Sequence, residues 1–129
     1  MPVVRLVVRA GRTTDEKHAL LDGLHEALVE AFRIPDDDRT QRIDEYPSED
    51  FEIPPGRSEK YMLVEITAFP GRSFEAKRNL YRAITRKLVA LGVPALDILI
   101  VLNEPALENW GVRGGFAASE VDIGFDIQV

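Results

Sequence analysis

The chain has 129 residues, of which 45% are hydrophobic and 29% are charged, and its formal net charge at pH 7 is -6. This acidic balance excludes a general affinity for nucleic acid, and the lack of cysteine excludes disulfides, thiolate nucleophiles and thiolate metal sites. No apolar run approaches the ~20 residues of a membrane helix, and the first residues lack the apolar stretch of a secretory signal, so we expect a cytoplasmic globular protein that binds neither nucleic acid nor membranes.

The first part of the chain is predicted to form a strand, a helix and a second strand. Residues 3–9 (VVRLVVR) are rich in valine and alternate loosely, which is typical of a strand. Thr13 and Glu16 match the S/T-x-x-E capping box that begins a helix, and Pro35 closes that helix. Apolar residues recur at helical spacing between these limits, namely Leu20, Leu21, Leu24, Ala27, Leu28, Ala31 and Phe32. Residues 40–46 (TQRIDEY) are predicted to form the second strand.

The same pattern then occurs a second time. The sequence AGRTTDEK, which begins at Ala10, returns as PGRSFEAK from Pro70. Residues 61–68 are a predicted strand, Ser73 caps a second predicted helix, and residues 97–102 (DILIVL) form a predicted apolar strand. We infer two tandem copies of one strand–helix–strand unit, each with an arginine at its first strand-to-helix turn.

The fold predicted from this repeat is of the α+β class. Each β-α-β unit contributes two parallel strands joined by a right-handed crossover, so two units form a four-stranded mixed sheet with both helices on one face. We expect a single domain over residues 1–129, with unit one at about 2–46, a proline-rich connector at 47–60, unit two at 61–110 and a tail at 111–129. Apolar residues alternate along 121–129, which predicts a short C-terminal strand. The sheet face without helices is rich in valine and isoleucine, which predicts an oligomer.

The second residue is a candidate catalytic base. Methionine aminopeptidases remove Met1 when the next side chain is small, which would leave Pro2 with a free secondary amine at the start of a central strand. An α-amino group ordinarily titrates near ~8, and both desolvation and nearby arginine charge lower its pKa. A base poised near neutrality suits proton abstraction next to a carbonyl. The alternative is that Pro2 is incidental, since chains that begin Met-Pro are common.

Several segments, taken in order, resemble the tautomerase superfamily. MPVVRLVVRAGRTTDEK resembles the beginning of the 4-oxalocrotonate tautomerases, and NWGVRGGFAAS resembles their end. The two-unit length, DDDRTQRI and ENW resemble the larger, fused members, which include malonate semialdehyde decarboxylases. The resemblance covers the whole chain. It implies the tautomerase fold, a homotrimer, an active site at the amino-terminal proline, and no cofactor or metal.

The resemblance also implies roles for individual residues. Pro2 would be the base, Arg72 in the second GR turn would hold the substrate, and Asp38 in the D-R-x-Q segment would position water or the proline nitrogen. The further candidate substrate-binding residues are Arg39, Trp110 and Arg113. Simpler alternatives stay open: a solvated turn for Asp38 or Arg12, and a core position for Trp110.

The expected reaction is keto–enol isomerisation of a small anionic 2-oxo acid or its enol. In the malonate semialdehyde decarboxylases the second turn supplies two arginines, and the matching positions here are Phe69 and Gly71, so isomerisation ranks above decarboxylation and hydration. A lyase of the same fold, or a small-molecule-binding trimer without turnover, are the alternatives. His18 and His25 lack a third ligand and are expected to be surface histidines rather than a metal site.

Overall fold

The computed structural model describes residues 2–129, and the expected removal of Met1 therefore concerns a residue outside the described range. The main strands are β1 (Pro2–Arg9), β2 (Thr40–Tyr46), β3 (Met62–Ala68) and β4 (Ile98–Asn103), and the α-helices are α1 (Thr14–Phe32) and α2 (Phe74–Ala90). Over residues 2–129, no helix combines the length and the apolar character needed to cross a membrane.

The four main strands of residues 2–129 form one mixed sheet in the order β2-β1-β3-β4. β1 is parallel to β2, β3 is parallel to β4, and the two units meet through antiparallel pairing of β1 with β3. The two helices pack against each other and against the same side of the sheet. The predicted α+β fold with two tandem β-α-β units is therefore confirmed.

Local sequence explains where the two helices begin. Thr13 accepts a hydrogen bond from the backbone of Glu16, and the Glu16 side chain accepts one from Thr13, which is the predicted capping box. In the second unit, Ser73 caps α2 by accepting from the Ala76 backbone. Alternate residues of β1 and β3 are fully buried beneath the helices, namely Val4, Leu6, Val8, Met62, Val64 and Ile66.

The sheet face without helices is less apolar than the sequence predicts, because an ion network crosses its centre. Arg5 of β1 contacts Asp44 of β2 at 2.6 Å and Glu65 of β3 at 3.0 Å. Apolar residues lie beside this network on β4, where Leu99 and Val101 are 48% and 40% exposed. This face combines inter-strand ion pairs with exposed apolar side chains.

The C-terminal strand predicted for residues 121–129 is not formed. The described tail instead contains two short antiparallel strands, β5 (Gly111–Val112) and β6 (Phe116–Ala117), and the residues after Val121 pair with no strand. Their alternation reflects burial alone, since every second side chain from Val121 to Val129 is half-buried. An alternating pattern identifies the buried side chains, but a strand also needs a neighbouring backbone to pair with.

Candidate active site

A cavity of about 640 Å³ lies where β1 begins and β3 ends. Its lining residues are Val3, Pro35, Asp38, Phe69, Trp110, Gly111, Val112, Arg113, Ala118, Val121, Ile123, Gly124 and Phe125. Pro2 is buried directly beside this lining, one residue before Val3. A separate groove of about 530 Å³ runs between the two helices and contains none of the predicted site residues.

The strand register brings two turns to the first residue of β1. Pro2 pairs with Ala68 of β3, and the following Val3 pairs with Thr40 of β2. Because β1 lies between these strands, its beginning is flanked by the turn that enters β2, residues 35–39, and by the turn that leaves β3, residues 69–72. These two turns carry Asp38 and Arg72, which are the other two residues of the predicted catalytic set.

Arg72 is buried at the base of the 69–72 turn, with 6% of its surface exposed. Its guanidinium lies 4.7 Å from the centre of the Phe32 ring, and Nη1 donates a hydrogen bond of 3.0 Å to the Phe69 carbonyl. Burial lowers the pKa of Arg72, against the opposing charges of Glu104, Asp126 and Asp38. Among the described residues, Nε has no hydrogen-bond partner. Arg72 is thus a fixed cation with an unused donor, bonded to the backbone of the lining residue Phe69 and not itself part of the cavity lining.

Asp38 lines the cavity from the 35–39 turn, and His25 of α1 is hydrogen-bonded to this turn. The Asp38 N–H donates to the Pro35 carbonyl at 3.0 Å, closing the turn. His25 was expected at the surface, and this expectation is wrong, because the residue is 4% exposed. Its Nε2 lies 2.7 Å from the Asp36 carbonyl oxygen, so Nε2 carries the proton and donates to it. This hydrogen bond from His25 stabilises the turn that carries Asp38.

Trp110 and Arg113 also line the cavity, but on different parts of it. The indole of Trp110 meets the Phe69 ring edge to face, with centroids 4.8 Å apart and planes at 69°, and its Nε1 donates to the Pro105 carbonyl at 3.1 Å. Arg113 is exposed in the turn between β5 and β6 and adopts a left-handed backbone with a φ of 51°. The aromatic pair forms a rigid apolar surface, and Arg113 contributes a cation near solvent.

Arg39 does not line the cavity. Its guanidinium is exposed and donates to Asp22 of α1 at 2.9 Å and to Gln41 of β2 at 3.1 Å. The tail also contributes to the cavity, through Val121, Ile123 and Phe125, and this contribution was not predicted from the sequence. Their apolar alternation is the available signal, but it equally predicts a strand. Within residues 2–129 no cluster of three or more His, Asp or Glu side chains could hold a metal ion.

An equivalent of this site lies at the opposite end of the sheet, where β3 begins, and the connector fills it. Asp97, the counterpart of Asp38, is buried and accepts hydrogen bonds from the Ser58 hydroxyl and, at 3.0 Å, from the Ser58 N–H. Arg12, the counterpart of Arg72, donates to the Lys60 carbonyl at 3.1 Å. Although burial by itself raises the pKa of Asp97, the hydrogen bonds from Ser58 lower it below its usual value. A smaller, charged cavity of about 290 Å³ is left beside Arg12.

Comparison with known proteins gives a consistent result. Two family models, both described as tautomerase enzyme, match residues 38–113 and residues 2–60. The chain is 29% identical over 123 residues to the probable tautomerase YusQ of Bacillus subtilis strain 168, covering 91% of this chain and 97% of YusQ. It is 34% identical over 53 residues to a 2-hydroxymuconate tautomerase of Comamonas testosteroni, which covers 40% of this chain and 84% of that enzyme.

Solved structures show the same similarity over almost the whole length. A malonate semialdehyde decarboxylase, FG41, inhibited by 3-bromopropiolate, is 29% identical with a TM-score of 0.83, covering 94% of this chain and 98% of that one. A wild-type fused 4-OT that forms a symmetric trimer is 28% identical with a TM-score of 0.80, covering 91% of this chain and 96% of that one. The likeness therefore includes both halves of the chain and the sheet that joins them.

Proposed function

Because the chain belongs to the tautomerase family, we propose that it is a cofactor-free keto–enol tautomerase that uses Pro2 as its general base on a small 2-oxo acid or its enol. The observation that carries the proposal is the strand register. It sets the beginning of β1 between the turns of Asp38 and Arg72, at the edge of a largely apolar cavity. A base, a cation and a water-excluding surface are the groups that this reaction requires.

The proposed reaction begins with Pro2 as a neutral secondary amine after removal of Met1. Its nitrogen takes the proton from the 2-hydroxyl group of the enol, the C2–O bond becomes a carbonyl, and C3 receives a proton from the resulting ammonium. Burial and the nearby guanidinium of Arg72 both favour the neutral amine, so that the base is available near pH 7. The reverse sequence converts the keto acid to its enol.

The other residues act on the charge that accompanies this transfer. Arg72 binds the substrate carboxylate and stabilises the enolate oxygen, and its place in the turn beside the beginning of β1 supports this role. Arg113 provides a second cation at the cavity lining, and Trp110 excludes water together with Phe69. Asp38 orients the amine or a water molecule. Arg39 enters the proposal only through its contact with α1, which supports the turn that carries Asp38.

A homotrimer is part of the proposal. The fused 4-OT cited above forms a symmetric trimer and shares the fold of this chain. The face of the sheet that is not covered by helices is the available contact surface, and it carries both exposed apolar residues and partly exposed ion pairs.

A second candidate activity is decarboxylation of malonate semialdehyde. It is favoured by the similarity to the malonate semialdehyde decarboxylase FG41 over 94% of the chain. It is disfavoured by the 69–72 turn, where Phe69 is directed into an aromatic contact with Trp110 and Gly71 has no side chain, so that Arg72 is the cation of this turn. Isomerisation therefore remains the proposed reaction.

The test is ketonisation of phenylenolpyruvate, followed by its ultraviolet absorbance, in the native protein and in Pro2→Ala. Alanine still permits removal of Met1 but replaces the secondary amine by a primary one, and we expect kcat/KM to fall at least ~10²-fold. Pro55→Ala, in the exposed part of the connector, is the matched control and should retain native activity. Intact mass establishes whether Met1 is removed.

Two results would contradict the proposal. One is an active protein that retains Met1, because its Pro2 nitrogen is then an amide and not a base. The other is a Pro2→Ala variant as active as the native protein. The same proteins are assayed with malonate semialdehyde, and faster turnover of this compound than of phenylenolpyruvate would favour the decarboxylase.

A further inference from the structure

One part of the cavity is built by a segment that has no counterpart in the first unit. Val121, Ile123 and Phe125 line the cavity, and we call these three residues the apolar wall. Asp122 and Asp126, the acidic residues of this segment, are exposed. Each aspartate accepts a hydrogen bond from the backbone two residues further on, at 2.9 Å from Gly124 and 2.8 Å from Gln128. These short-range bonds fix the local conformation in which the apolar side chains line the cavity.

The chemistry of the lining restricts what the cavity can bind. Apolar or aromatic side chains make up most of it, and its charged residues are Asp38 and Arg113, while Arg72 is hydrogen-bonded to the backbone of the lining residue Phe69. A carboxylate placed against the apolar wall would lose its hydration without gaining a partner, which is unfavourable. A ligand with one carboxylate near the arginines and an apolar body along the apolar wall is complementary to both parts of the cavity.

The size of the cavity supports the same conclusion. Its volume of about 640 Å³ lies within the range of roughly 300–1,000 Å³ found for sites that enclose drug-sized ligands. A three-carbon oxo acid would leave most of this volume and most of the apolar surface unfilled. A six-carbon diacid would fill more of it but would place its second carboxylate among apolar side chains.

We propose that the apolar wall determines specificity, and that it selects 2-oxo monocarboxylates, or their enols, that bear a bulky apolar substituent such as an aryl or branched alkyl group on C3. This inference rests on the proposed function for its reaction, since it names the substrate class of the same site. The carboxylate lies toward Arg72 and Arg113, and the substituent lies against Ile123 and Phe125.

The kinetic test compares two enols, phenylenolpyruvate and 2-hydroxymuconate, which carries a carboxylate at each end. In the native protein kcat/KM should favour phenylenolpyruvate by ~10-fold or more. Ile123→Arg places a cation on the wall and should shift the ratio by ~10-fold or more toward 2-hydroxymuconate. Phe125→Ala should reduce kcat/KM for phenylenolpyruvate selectively. Phe116→Ala is the control, because Phe116 is an exposed tail aromatic outside the lining and should leave the ratio unchanged.

A binding measurement separates this inference from the proposed reaction. Calorimetric titration with 3-phenylpropanoate and with adipate, neither of which can tautomerise as a 2-oxo acid, should show tighter binding of 3-phenylpropanoate to the native protein and a reversed preference in Ile123→Arg. If this pattern holds while no enol is turned over, the substrate class stands and the proposed reaction fails. Tighter native binding of adipate, or a preference that Ile123→Arg does not change, overturns the inference even if Pro2 proves to be the base.

Discussion

Arg72 and Arg12 stand at equivalent turns of the two units, yet their surroundings differ. Arg72 is buried over the Phe32 ring and has an unused Nε, whereas Arg12 is half-buried and donates to the Lys60 carbonyl of the connector. A guanidinium that stacks on a ring and donates in its plane has geometry that an ammonium cannot reproduce. The difference in partners therefore predicts a difference in function between two residues that occupy the same place in a repeated sequence.

Substitution of each arginine by lysine tests this difference. Arg72→Lys keeps the charge but loses the planar donors, and we expect kcat/KM for phenylenolpyruvate to fall by ~10²-fold. Arg12→Lys should remain within a few-fold of the native value, since its partner is a connector carbonyl. Steady-state kinetics provide the comparison, with thermal unfolding to verify that both variants fold. Equal losses in the two variants would mean that Arg72 acts only as a structural residue.

At the scale of the elements, the tail is coupled to the turn that carries Arg72 through Gly71. This residue has a φ of +127°, and a Cβ built on it would lie 3.0 Å from the Ile127 carbonyl oxygen. Its counterpart Gly11 has a similar φ of +139°, but a Cβ there would meet no atom within 4 Å. The two glycines thus share a backbone conformation that disfavours other residues, and Gly71 alone of this pair also supports close packing of the tail.

Alanine at these two positions separates backbone strain from tail packing. Both variants should lose about 1 kcal/mol of unfolding free energy, because each places a Cβ on a positive-φ backbone. Gly71→Ala should lose more and should also raise KM, because displacement of residue 127 moves the nearby apolar wall. Urea denaturation and kinetics measure the two effects. If the variants behave alike in both measurements, the tail does not depend on the turn.

The connector is the second element whose role can be tested, through Ser58 and Asp97. Hydrogen bonds from Ser58 lower the folded-state pKa of Asp97 despite the opposing effect of burial. A carboxyl group whose pKa is lower in the folded state stabilises the fold above its unfolded pKa, near ~3.9, and this stabilisation is lost as the pH falls through the folded pKa. Ser58→Ala should therefore cost about 1–2 kcal/mol at pH 7 and less at pH 3.

Urea denaturation of the native protein and of Ser58→Ala at both pH values measures this difference. Ser48→Ala is a suitable control, because Ser48 is exposed and, within residues 2–129, the one side-chain hydrogen bond it makes is to the neighbouring Glu49, at 3.5 Å. A loss of stability in Ser58→Ala that is the same at pH 3 and pH 7 would show that the hydroxyl does not act through the ionised carboxylate.

The elements that were predictable from sequence depend on local rules. Helix capping by Thr13 and Ser73 and the spacing of apolar residues follow from the chain near each position, and the repeat then gives the sheet. The burial of His25 was not predictable, because the Asp36 carbonyl that accepts its hydrogen bond meets it only when α1 packs against the 35–39 turn. For the same reason the contact of Arg39 with Asp22 could not be anticipated, since it joins a turn to a helix surface.

At the scale of the whole molecule, the face of the sheet without helices is the proposed trimer contact. Val101 of β4 lies on this face, because its neighbours Ile100 and Leu102 pack toward the core. It is 40% exposed beside Leu99, which is 48% exposed. Burial of both residues against a second copy would remove apolar surface from water, and a charge introduced there would be desolvated without a partner.

Val101→Glu is therefore expected to shift the protein from trimer to monomer, as measured by sedimentation equilibrium. Val89→Glu is the matched control, because Val89 is the same residue type with a similar exposure of 46%, but lies on α2. This variant should remain trimeric. A monomeric native protein would reject the proposed trimer itself, whereas a native trimer that Val101→Glu leaves intact would reject this face as its contact. Because the cavity lies at the beginning of β1 and not on β4, activity measured alongside would show whether the site needs the neighbouring copy.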